Sequence, residues 1–113
     1  MSEVASLELS KDLFELTGWD DTVLVYSEEF EDIDEVNEYR LRENIGIFPN
    51  PIVPAYDLGF LIRKFPPRIM LIKTETNYMA VHALNGANGT ADTPENACAK
   101  LLIYLIKEKV IKI

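Results

Sequence analysis

One thiol, one imidazole and one dense run of carboxylates are the side chains of this 113-residue sequence whose types and spacing could do chemistry. Cys98 is the single cysteine and His82 the single histidine. A nucleophilic thiol needs a base to take its proton, so a thiol-dependent enzyme would have to pair these two. Cys98 falls in the first turns of an expected helix, where the dipole lowers a thiol pKa. It also stands between Ala97 and Ala99 on an apolar stripe, and cysteine in that setting is more commonly a small buried hydrophobe. His82 reads more simply as a structural or surface strand residue. One histidine and one cysteine do not make a structural zinc site without carboxylates, and one cysteine excludes an internal disulfide.

The carboxylates are Glu28, Glu29, Glu31, Asp32, Asp34 and Glu35. Asp32-Ile33-Asp34 has the look of a cation loop, but the glycine and the distal glutamate of a calcium loop are absent. The commoner role of such a run is a solvated face; the functional reading is a docking surface for a basic partner. The loop with Gly86 and Gly89 precedes a helix, yet it lacks the lysine and the spacing of a phosphate cradle and is read as a turn. Asn88-Gly89-Thr90 matches a glycosylation acceptor, a chance match in a chain that opens without a secretory signal. These observations give no cofactor and no metal, and no catalytic residues.

Charge is unevenly placed. Residues 1–50 carry 14 acidic and 3 basic side chains, a net of −11, and residues 51–113 carry 5 and 8, a net of +3. The whole chain stands at −8. Such a first half argues against direct binding to nucleic acid, whose phosphates it repels. Arg63, Lys64, Arg68 and Lys73 form only a small basic group. No apolar run approaches the roughly 20 residues that span a bilayer, and residues 1–5 lack a basic start and apolar core. The expectation is a soluble, cytoplasmic protein with no membrane partner.

The elements that must position these groups begin with the last helix. Thr93 can cap it, Pro94 suits its first position, and Glu95 complements the positive end of its dipole. Ala97, Cys98, Leu101, Leu102 and Leu105 then form one broad apolar stripe, which Ile103, Tyr104 and Ile106 widen. Such a helix packs over something large and apolar, most simply a sheet. Earlier, Ser10 is expected to cap a short helix over 11–16, with Gly18 just past its end. Residues 22–26 are β-rich, and 37–42 alternate polar and apolar, so both are read as strands, a helix being the competitor for the second. Residues 44–54 carry three prolines, which exclude helix and central strand. Residues 55–65 read as a second helix stopped by Pro66-Pro67, with Gly59 marking a close approach to another element. Residues 68–74 and 78–84 form a hairpin; both its faces are apolar, so it should be central and covered. The assembled expectation is a single α+β domain over 1–113, with a mainly antiparallel sheet of about four strands and three helices packed on it.

Three stretches carry a resemblance. Pro54-Ala55-Tyr56-Asp57-Leu58-Gly59-Phe60-Leu61-Ile62-Arg63-Lys64-Phe65-Pro66 and Ala91-Asp92-Thr93-Pro94-Glu95-Asn96-Ala97 resemble segments of small proteins encoded in phage and prophage genomes. Glu8-Leu9-Ser10-Lys11-Asp12-Leu13-Phe14-Glu15-Leu16-Thr17-Gly18-Trp19 fits the same pattern, and residues 28–50 match nothing in it. The resemblance implies a phage or mobile-element origin, hence a host cytoplasm, and no catalytic residues.

The function expected is that of a non-enzymatic accessory protein that binds another protein, a basic one or a second copy of itself. Glu28, Glu29, Glu31, Asp32, Asp34 and Glu35 are its candidate partner-binding residues. One alternative is an acidic mimic of nucleic acid that inhibits a host DNA-binding protein. The other is a thiol-dependent enzyme using Cys98 and His82.

Overall fold

The computed structural model describes residues 3–30, 37–46 and 52–112. Its three helices begin where a side chain accepts an orphan backbone N–H. Ser6 caps α1 (Leu7–Thr17), accepting the N–H of Leu9, and Gly18 ends it with φ of 70°. Asp57 caps α2 (Leu58–Lys64) through the N–H of Phe60. Thr93 caps α3 (Pro94–Lys107) through the N–H of Asn96, with Pro94 opening the helix as expected. α1 therefore starts one turn earlier than Ser10 suggested. Ser10 is buried inside the helix, and the N–H of Ser6 is taken by Asn96 Oδ1 at 2.7 Å, a bond spanning 90 positions that fixes the true start.

Among the described residues, six strands form two antiparallel sheets. In the first, β1 (Leu24–Phe30) lies between β2 (Asn37–Glu43) and β3 (Ile52–Ala55). In the second, β5 (Tyr78–His82) lies between β4 (Ile69–Lys73) and β6 (Asn88–Ala91). The class is α+β. The expected strands are present, and two more were hidden in the sequence. β3 sits in the proline-punctuated connector, and Pro54 is tolerated because β3 is an edge strand with a partner on one side only. β6 sits in the glycine-rich loop. Its Gly89 is there for packing: a Cβ at this position would stand 2.6 Å from Ala97 O and 2.8 Å from Leu101 N, so only glycine lets α3 lie this close to the sheet. Gly59 marks no such approach, since it is exposed and a Cβ there meets nothing nearer than 3.5 Å.

One contiguous core joins these parts. Leu101, Leu102 and Leu105 of α3 pack with Leu13 of α1, Phe60 and Leu61 of α2, and Ala80 of β5. Tyr56, fully buried, anchors the start of α2 by donating its hydroxyl to Trp19 O at 2.6 Å. The β4–β5 hairpin forms in the expected register, Ile69 opposite His82 through Lys73 opposite Tyr78. Only β5 is central; β4 is an edge, and Met70, Leu71 and Ile72 are exposed. The sequence suggested a covered hairpin because an apolar run without alternation is the pattern of a strand buried on both faces. Here α3 packs chiefly on β5 and β6; of β4, Ile69 reaches the core and Met70 to Ile72 stay exposed. No helix among the described residues is long and apolar enough to cross a membrane.

Candidate functional site

The thiol and the imidazole are both interior groups. Cys98 is 1% exposed on α3 and His82 is 4% exposed at the end of β5. Burial pushes the Cys98 thiol up to about 11, and the negative charge of Glu95 one turn away adds to the shift. The thiol is thus held protonated at neutral pH, the reverse of what an activated nucleophile needs. His82 Nδ1 is buried with no hydrogen-bond partner. Glu95, 6% exposed in the first turn of α3, likewise keeps Oε2 without a partner. Among the described residues no group of three or more His, Cys, Asp or Glu is placed to hold a metal ion.

Of the acidic run, Glu28 and Glu29 lie on β1, while Glu31, Asp32, Asp34 and Glu35 lie outside the described residues. The backbone around them is informative. β1 pairs with β2 over its whole length, Leu24 opposite Glu43 through Phe30 opposite Asn37. It pairs with β3 only from Leu24 to Ser27. From Glu28 onward, the described part of this sheet is therefore a two-stranded ribbon. β-rich residues point to β1 and alternation to β2; that the two continue as a ribbon beyond their pairing with β3 comes from the register.

A cleft of about 330 Å³ opens between the starts of α1 and α3, its lining including Glu8, Asp12, Asp92, Asn96 and Lys100. Lys100 Nζ donates to Thr90 O at 3.1 Å, so the ammonium is held on the sheet side of the cleft. Its charged lining is mixed in sign, three carboxylates with one ammonium.

The surface that sequence reasoning missed is the second sheet. Met70 and Ile72 of β4 lie directly opposite Val81 and Met79 of β5. These four side chains share the face of the sheet away from Ala80, the residue that enters the core with α3. Met70 is 49% exposed, Leu71 41% and Ile72 38%. An apolar stretch of this kind on an unpaired strand edge is unusual in a chain that works alone. The signal available in the sequence, a continuous Ile-Met-Leu-Ile run, pointed to burial and not to an edge.

No family model matches the chain, and neither a curated protein nor a solved structure matches it.

Proposed function

We infer that this chain is a non-enzymatic accessory protein, of the phage-encoded type its three stretches resemble, and that it binds a basic protein through its acidic ribbon. The observation that carries the reading is the register of the first sheet. β1 and β2 continue as a pair beyond the last residue that β3 covers, and this pair leads into the run from Glu28 to Glu35. A two-stranded ribbon whose sequence continues into a run of carboxylates presents charge to a partner without a pocket. Attraction of this kind acts mainly over about one Debye length, near 8 Å at physiological salt, so it steers association and weakens with added salt. The protonated, buried Cys98 and the interior His82 support a role without nucleophilic chemistry.

The test is capture from a bacterial lysate on the immobilised chain at low and high salt. The comparison protein carries Glu28→Gln, Glu29→Gln, Glu31→Gln, Asp32→Asn, Asp34→Asn and Glu35→Gln together. A basic protein retained by the native chain at low salt, released at high salt and ignored by the neutralised variant is the expected result. Release of that protein by duplex DNA would make the ribbon a stand-in for phosphates. Equal capture by both chains would reduce the acidic run to a solvated face and end this reading.

A further inference from the structure

The open edge of the second sheet leads to a different partner, independent of the acidic ribbon. The hydrogen-bond pattern of the hairpin fixes which way each backbone group on β4 points. Ala83 N–H donates to Arg68 O at 2.9 Å and Thr74 N–H donates to Asn77 O at 2.8 Å. In an antiparallel pair, hydrogen-bonded and non-hydrogen-bonded positions alternate. Residues 68, 70, 72 and 74 therefore turn their N–H and C=O groups toward β5. Ile69, Leu71 and Lys73 turn theirs outward, to an edge that no described strand pairs.

Three of the four outer edges of the two sheets are blunted, each by a recognised device. β2 carries Glu38, Arg40, Arg42 and Glu43, β3 carries Pro54, and β6 is four residues long with Gly89 in it. β4 has no such device between Ile69 and Ile72; its one charged residue, Lys73, stands at its end.

We propose that the protein forms a symmetric dimer in which β4 of one copy pairs antiparallel with β4 of another, joining the two second sheets into one six-stranded sheet. The outward groups select the register. With the two-fold axis at Leu71, Leu71 faces Leu71 of the other copy, and Ile69 faces Lys73 at both ends. All outward N–H and C=O groups of the three residues are then satisfied. Sliding the pairing toward the start of β4 would set Lys73 against Pro67, which has no N–H to give. On the face away from α3, Met70 of one copy comes directly opposite Ile72 of the other. Each row across the joined sheet then reads Val81, Met70, Ile72, Met79, an unbroken set of apolar cross-strand neighbours. The axis of such a pair stands perpendicular to the sheet, so both copies of α3 lie on one face and the Leu71 side chains meet between them.

The most acidic part of the chain does not build the joined edge. The strongly acidic half of the chain, residues 1–50, builds α1, β1 and β2, while the joined edge belongs to the half with a net of +3. The register also sets Arg68 of each copy beside the turn that carries Glu75 in the other.

Sedimentation velocity on the full chain, over roughly a hundredfold range of concentration, reads the association directly. The native chain is expected to sediment as a dimer that dissociates on dilution. Leu71→Pro removes an outward N–H that makes no bond to β5, so it should leave a folded monomer by circular dichroism. Leu71→Lys places two like charges face to face on the axis and should weaken the dimer about tenfold or more; it serves if the proline variant fails to fold. Leu71→Cys should give an inter-chain disulfide on mild oxidation, since opposed residues of this kind lie about 5.5 Å apart between Cα atoms. Buried Cys98 does not compete. A native chain that stays monomeric across the range overturns the proposal. So does a dimer that Leu71→Lys leaves intact and Leu71→Cys does not cross-link. Neither result bears on the acidic ribbon, whose variant leaves β4 untouched.

Discussion

The two sheets have the same plan, three antiparallel strands with the middle one flanked by its sequence neighbours or near neighbours, yet they meet solvent in opposite ways. The first has one long, polar outer strand, β2, and one short apolar one, β3, whose Val53 and Ala55 are buried beside the central Val25. Its edges are charged or proline-bearing, and its ribbon runs into carboxylates. The second gives the core one fully buried apolar residue, Ala80, with Ile69 and Tyr78 packed partly against it, while Met70, Leu71 and Ile72 of β4 are exposed. The comparison teaches that apolar content does not locate a core. What decides is where the helices lie, and α3 packs chiefly on β5 and β6, with Ile69 at the start of β4 reaching the core and the rest of that strand exposed.

The difference can be broken most sharply at Gly89. If the second sheet owes its cover to the close approach of α3, Gly89→Val must push backbone against backbone. It should cost about 3 kcal/mol or more by urea titration. Gly59→Ala, on an exposed helix position with room for a methyl group, should instead stabilise by about 0.5 kcal/mol or more. A Gly89→Val loss no larger than that of an ordinary surface substitution would mean that α3 is not pinned to the sheet.

A second test separates α3 from the rest by pH. The Cys98 thiol is raised to about 11 in the folded chain, whereas an unfolded cysteine ionises near 8.5. Between these values the unfolded chain loses the proton and the folded chain keeps it. The contribution is therefore fully present below the unfolded pKa and is lost as pH rises toward about 11. Burial raises Tyr26 and Tyr56 as well, which steepens the decline at the alkaline end. Cys98→Ala should flatten the first part of the slope, and an unchanged slope would place the thiol in contact with water. The same burial predicts slow reaction of Cys98 with thiol reagents until the chain unfolds.

The smallest expected effect probes the attachment of the first sheet. Tyr26 donates its hydroxyl to Ala5 O at 2.7 Å, tying β1 to the segment that leads into α1. Tyr26→Phe should cost about 1 kcal/mol, with amide exchange quickening in β1 and not in β5. Equal quickening in both strands would mean that the two sheets open as one unit.

Legibility in the sequence followed the range of the interactions. Thr93-Pro94-Glu95 located α3 because capping is settled within four residues, and Gly18 ended α1 for the same reason. The hairpin of β4 and β5 was legible because its two runs flank a short turn. Ser10 misled because the competing cap, Ser6, is favoured by Asn96 from the far end of the chain. β3 and β6 were concealed because proline and glycine, the usual marks of turns, are also what an edge strand and a tightly packed strand permit. Of the candidate site, the carboxylates were plain from composition, whereas the open edge of β4 was read as its opposite.

By itself the sequence determined the class of fold, the helix boundaries that local caps enforce, the uneven charge, and the lack of a paired cysteine. These depend on residue type and on contacts a few positions long. The burial of Cys98 was already read from its apolar stripe, whereas only the tertiary structure decided that the strands divide into two sheets, that Gly89 is a packing residue, that His82 is interior, and that β4 is left at an edge. Each of those turns on which elements come to lie side by side, and that is set by the competition of all the apolar faces for one core, which no single stretch of the chain contains.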